Sequence, residues 1–155
     1  MDNRLFRDAM GKFATGITIV SIENNGEIHG MTVNAFMSVS LEPRLIAVSI
    51  DEKASMYDKL QESNGFGLSI LAEDQKDISM ILAKQKDKDK EIPFVDLGGV
   101  PVVNDSLVTL ACHIQETAKA GDHMIFIAEV TDLQFGNARE EPILYFSGEY
   151  RNLNS

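Results

Sequence analysis

Asn24-Asn25-Gly26 sits between two alternating, β-branched segments and commits this part of the chain to an antiparallel hairpin. Asn and Gly tolerate the positive φ of a tight turn between twisted strands, so Ile17 to Glu23 and Glu27 to Val33 are read as its two arms. The returning arm delivers the chain into Thr32 to Pro43, TVNAFMSVSLEP. There alternation continues, with Phe36, Ser38 and Ser40 on one side and Met37, Val39 and Leu41 on the other. An ordinary half-buried strand carries long charged side chains on its wet face. This one offers Ser, Asn and Thr, short hydrogen-bonding groups suited to a ligand lying flat. Read without a ligand, the same stretch is a polar strand followed by a bulge.

Leu5, Phe6, Ala9, Met10 and Phe13 fall on one stripe of a helix, with Asp2 or Asn3 as N-cap and Gly16 as stop, and the apolar stripe is expected to pack on a sheet. Leu45 to Ile50 is nearly all apolar and reads as a buried strand. Asp51 to Ser55 follows, then a helical pattern with Met56 and Leu60 that stops at Asn64-Gly65. A helix beginning there leaves amide N–H groups free beside Lys53 and Ser55, which suits a phosphate; a solvated turn with a Ser cap is the other reading. Phe66 to Leu71 is a strand, Ala72 to Ala83 an amphipathic helix with Ile78, Ile81 and Leu82 inward, and Lys84 to Glu91 an exposed charged connection. Pro93 to Val103 is turn-rich. In Leu107 to Glu116 the even positions, Cys112 among them, form the apolar face, with Thr109, His113 and Gln115 opposite. Lys119 to Asp122 is a turn, His123 opens the strand Met124 to Val130, which is apolar on both faces, and Asn137 to Pro142 is a polar turn. Ile143 to Phe146 is a last strand before a tail, Ser147 to Leu153. The whole chain, 1–155, reads as one domain without repeats, mainly β with a few helices.

An apolar fraction of 44% with 25% charged residues is that of an ordinary globular chain. The net charge of −10 argues against nucleic acid and against an anionic membrane surface, since both demand clustered cations. One cysteine, no signal-like N-terminus and no apolar run of spanning length point to the cytoplasm. His29, His113 and His123 are too scattered, beside one cysteine, for metal-ligand spacing. Ser38, His123 and Asp51 contain the residue types of a hydrolase, but the Gly-x-Ser-x-Gly turn is missing, and so are the Rossmann and Walker fingerprints.

Gly30-Met31-Thr32-Val33-Asn34-Ala35-Phe36, followed by Ser38-Val39-Ser40-Leu41-Glu42-Pro43, resembles the flavin reductase domains of the FMN-binding split-barrel superfamily. Further matches follow in family order at Leu45 to Ile50, Lys53-Ala54-Ser55, Ala120-Gly121-Asp122-His123 and Leu144-Tyr145-Phe146 with Gly148 and Tyr150. One departure is Pro43-Arg44, where the family commonly has two prolines. The resemblance implies a split β-barrel, Greek-key-like, with packing helices, usually a homodimer, which binds FMN or a related flavin and reduces it with NADH or NADPH. It further implies that Thr32, Asn34 and Ala35 line the isoalloxazine, and that Ser38, Val39, Ser40, Lys53 and Ser55 hold its edge, ribityl chain and phosphate. By the same resemblance His123 lies where nicotinamide docks and Tyr150 helps close that pocket. Reduced flavin would pass to a partner monooxygenase. Two alternatives stay open: a protein that keeps FMN and passes electrons to another protein or to ferric iron, and a flavin- or heme-binding module without catalysis.

Overall fold

The computed structural model describes residues 1–137 and 141–154. The hairpin forms as its turn dictates: β1 (Thr18–Asn24) pairs antiparallel with β2 (Glu27–Val33), turning through Asn25 and Gly26, both at positive φ. β3 (Phe36–Ser40) then pairs with β4 (Leu45–Asp51), and the register slips between Ser38 and Ser40, a bulge at Val39. β5 (Gly65–Ile70), β8 (Val108–Ala120) and β9 (His123–Phe135) complete a seven-stranded antiparallel sheet in the order β2-β1-β5-β8-β9-β4-β3.

That order forces curvature. β2 and β3 lie at opposite ends of it, yet only Asn34 and Ala35 separate them in the chain. The two edges must therefore meet, and the sheet rolls into a split barrel. Its interior holds Val20, Ile22, Val48, Ile50, Phe66, Leu68, Phe126 and Ala128, and α2 (Tyr57–Glu62) contributes Leu60 to the same core.

A second, smaller layer covers the outer face of β1 and β5. α3 (Lys76–Leu82), preceded by a short 3-10 turn, brings Ile78 against Ile17, Ile19, Leu71, Val103 and Ile143. The turn-rich expectation for Pro93 to Val103 is corrected: β6 (Phe94–Leu97) and β7 (Val100–Val103) form a hairpin about Gly98 and Gly99, both at positive φ. Its packing explains why Thr109 and Ala111 are buried although the pattern assigned Thr109 to the wet face of β8. β7 lies close on the sheet, with Ser21 Oγ donating to the Pro101 carbonyl at 2.6 Å and the Val103 amide donating to Ser69 Oγ at 2.9 Å. β8 and β9 run longer than expected, to Ala120 and Phe135, because their distal arms pair with each other while facing solvent.

Expectations for two helices and the tail also change. α1 (Asn3–Met10) is capped by the Asp2 carboxylate as expected, but ends at Gly11, short of Phe13 and Gly16. It does not pack on a sheet. None of its residues is buried, and Phe6, Met10 and Phe13 are 55%, 56% and 79% exposed. α2 begins at Tyr57, so Lys53 and Ser55 lie in the turn before it rather than in its first turn. The tail after Phe146 returns as β11 (Glu149–Arg151) against β10 (Leu144–Phe146). Part of the polar turn expected at 137–142 lies outside the described residues. No helix among the described residues is long and apolar enough to cross a membrane.

Cys112 faces the barrel core as its position in the alternation requires, and burial pushes its thiol up to about 12 from 9.0. A rise of that size lowers the thiolate fraction at neutral pH by roughly a thousandfold. The native protein should therefore resist iodoacetamide and react stoichiometrically after denaturation. Rapid labelling of the native protein would show that Cys112 is more accessible than its packing indicates.

Candidate functional site

Between α1 and the outer face of the sheet lies a cleft of about 1230 Å³. Pockets for small ligands run from about 300 to 1,000 Å³, so this one has room for more than one bound ring system. Its floor is the outward row of β3, β4 and β9, with Met37, Ala47, Ser49 and Ile125. Ala47 and Ser49 alternate with the core-facing Ile46, Val48 and Ile50, and their small side chains leave the floor low. One wall is α1 and the segment after it, with Phe6, Arg7, Met10, Lys12 and Phe13; Tyr145, Ser147 and Gly148 approach from the β10–β11 hairpin.

Asn34 and Ala35 enter the cleft at the seam of the barrel. The Ser49 amide donates to the Ala35 carbonyl at 3.0 Å, which pins this two-residue crossing onto β4, and the Phe36 amide donates to the Asn34 carbonyl at 3.0 Å, which closes the turn into β3. Both side chains remain exposed.

His123 enters from the start of β9, opposite Asp51 of β4. Its Nδ1 lies 2.8 Å from Asp122 Oδ1. A carboxylate accepts, so Nδ1 carries the proton and a neutral ring keeps Nε2 as an acceptor. The hydrogen bond from His123 is the main reason that the Asp122 carboxyl sits below its usual value; the nearby Lys53 charge adds to it. The turn is tied down further by the Glu52 amide, which donates to the Asp122 carbonyl at 3.0 Å, and by the ion pair of Lys119 with Glu52. Gly121 supplies the positive φ that the turn needs.

Of the ten residues singled out in the sequence, Asn34, Ala35 and His123 line this one cleft. Lys53 and Ser55 lie just beyond it, exposed in the turn after β4; the Lys53 amide donates to Asp51 Oδ1 at 2.9 Å, and its ammonium makes no ion pair among the described residues. Ser38, Val39 and Ser40 continue along β3, outside the cleft lining. Thr32 and Tyr150 do not line it either. The Thr32 hydroxyl donates to the Ser79 carbonyl of α3 at 2.7 Å. The Tyr150 hydroxyl sits 2.9 Å from Ser79 Oγ and donates to Gln85 Oε1 at 2.8 Å. Tyr145, against whose ring Tyr150 stands edge-on at 5.4 Å, is the tyrosine that reaches the cleft. The cleft residues that sequence reasoning missed include Ala47, Ser49, Ile125, Tyr145, Ser147 and the α1 wall. A signal for the first two existed in the small side chains at every second place of an otherwise bulky strand.

A family model described as flavin reductase like domain matches residues 10–154. The NADH-dependent flavin reductase of a Rhodococcus species is 39% identical over 150 residues, which is 95% of this chain and 84% of that one. The reductase component of 4-hydroxyphenylacetate 3-monooxygenase from Thermus thermophilus is 34% identical over 96% of this chain and 95% of its own. Among solved structures, the flavin reductase PheA2 in its native state superposes with a TM-score of 0.94 at 51% identity, covering 99% of both chains.

Proposed function

The chain belongs to the flavin reductase like domain family, and from that premise we propose that it is an oxidoreductase that transfers hydride from NADH to FMN or a related flavin. The observation that carries this reading is the cleft at the barrel seam, where Asn34, Ala35 and His123 line one cavity over a floor of Met37, Ala47, Ser49 and Ile125. The small Ala47 and Ser49 side chains leave room over β4 for a planar ring, and the volume leaves space for a second ring above it. Flavin supplies the hydride-accepting chemistry, and the protein supplies placement and access.

The Nε2 of His123, free as an acceptor, suits the amide N–H of a nicotinamide carboxamide, and Asp122 holds the ring in that tautomer. Asn34 and Ala35 bound the flavin ring. Lys53 and Ser55, one turn beyond, reach for its phosphate, with Ser38, Val39 and Ser40 along the ribityl chain. The Rhodococcus relative's name supports NADH as donor. The Thermus relative, named as a reductase component, supports delivery of reduced flavin to a partner monooxygenase. We read the whole chain as one such domain, working in the cytoplasm as a homodimer; exposed Met37, Leu41 and the apolar stripe of α1 support a second copy. Light scattering at micromolar concentration checks the dimer, and a monomer mass with flavin bound would remove it.

The direct test is NADH consumption by the purified protein with and without FMN, together with quenching of flavin fluorescence on titration. No quenching and no NADH oxidation at flavin concentrations well above those of ordinary cofactors would overturn the reading. Lys53→Ala is expected to weaken FMN about ten- to a hundredfold, the worth of one charge-assisted hydrogen bond, while riboflavin binds almost as before. Equal losses for both ligands would remove Lys53 from the phosphate.

A further inference from the structure

The α1 wall carries two cations that the flavin reading does not use. Arg7 and Lys12 both line the cleft, and neither makes an ion pair among the described residues. The Lys12 ammonium instead donates to Ser147 Oγ at 3.2 Å and lies 5.6 Å from the centre of the Phe146 ring. The Arg151 guanidinium, paired with Glu149 at 3.2 Å, stands 5.5 Å from the same ring, so two positive charges crowd one aromatic side chain. Asp8 also lines the cleft, which leaves the wall with a net positive charge from Arg7, Lys12 and Asp8. A hydroxyl beside an unpaired ammonium is an arrangement for an oxyanion.

We propose that Arg7 and Lys12, with Ser147, bind the diphosphate of the dinucleotide reductant, and so select a nucleotide donor over a bare dihydronicotinamide. The assignment rests on the reductase reading above. His123 and Lys12 line the same cleft from different elements, β9 and the segment after α1, so a donor held by its nicotinamide end at His123 has its diphosphate within the same cavity. The cleft exceeds what one ring system needs, and the reductase reading above gives the flavin phosphate to Lys53 and Ser55, in the turn after β4.

The test compares NADH with 1-benzyl-1,4-dihydronicotinamide, a hydride donor without phosphate, in Lys12→Ala, Arg7→Ala and Lys12→Arg. The ratio of kcat/KM for NADH to that for the benzyl donor should fall about tenfold for each charge removed, and Lys12→Arg should restore most of it. High salt should erode the wild-type ratio in the same direction. An unchanged ratio in both alanine variants overturns the assignment while leaving the reductase reading intact. Weakened FMN binding with riboflavin unaffected would overturn it too, by giving these cations to the flavin phosphate. Wild-type protein that oxidises neither donor would overturn the reductase reading, and this assignment with it.

Discussion

Gly67→Ala should lose about 3 kcal/mol of stability or more, the upper end of what overpacking costs. Gly67 lies in β5 where β7 crosses the outer face of the sheet. A Cβ there would stand 1.8 Å from the Pro101 carbonyl oxygen and 2.8 Å from Val102 Cγ1. The obstacle is mainly backbone, so no rotamer change relieves it, and β7 must move away. That displacement strains the Ser21 to Pro101 and Val103 to Ser69 hydrogen bonds, both buried, and opens the layer that covers Ala111. For a domain of this size the loss corresponds to a melting temperature lower by roughly 10 °C. Gly16→Ala is the control, because a Cβ there meets nothing closer than 3.9 Å, and it should change stability by no more than about 0.5 kcal/mol. Thermal and denaturant unfolding of the two variants check this. Equal midpoints would mean that β7 does not lie against β5 as described.

His123→Ala should slow flavin reduction by NADH about a hundredfold in single-turnover measurements, with flavin affinity and melting temperature close to those of the wild type. The reacting atoms of donor and acceptor need a separation of about 3 to 3.5 Å, and small misplacements cost rates of that order. His123 is 39% exposed at its side chain and belongs to no core, so its removal leaves no cavity. Asp122 gives the reading a pH dependence. Its folded carboxyl titrates below the ordinary value, so the contact with His123 stabilises the fold above that ordinary value and is lost as pH falls through the lowered one. Mild acid should therefore leave the imidazole in place. Asp122→Asn should give an intermediate rate loss, because an amide can still accept at Oδ1 without the charge. A wild-type rate in His123→Ala would reduce this histidine to a cap on the β8–β9 turn, whereas loss of flavin binding would assign it to the flavin ring.

Much of this arrangement was legible in the residues, but unevenly. The Asn24-Asn25-Gly26 turn gave away β1 and β2 because its signal is local. Asn34, Ala35 and His123 emerged because short polar groups broke the logic of an ordinary strand and because their surroundings match a family pattern. The β6–β7 hairpin was hidden, since Pro101 and two glycines in so short a span mask strands of four residues each. The distal arm of β8, Gln115 to Ala120, carries no apolar alternation, as both of its sides meet water. α1 shows where periodicity stops. It says that a helix has an apolar face, not what lies opposite it. The contacts of the Thr32 and Tyr150 hydroxyls were not legible for a related reason, because their partner Ser79 comes from a helix distant in the chain, a tertiary fact that no spacing encodes.

The rolled sheet also sets an order of assembly. β1 with β2, and β3 with β4, are neighbours along the chain and close at little entropic cost, whereas β4 finds β9 only by pairing residues as remote as Ile46 and Ala128. Until that long-range pairing is made, the Asn34-Ala35 crossing has no His123 beside it. Ligand-binding competence should then be the last property gained in refolding, after most of the secondary structure. A ligand that recognises only the closed seam draws the population toward the completed barrel by mass action, so for a freshly made chain its availability governs how much is completely folded as well as how much is active.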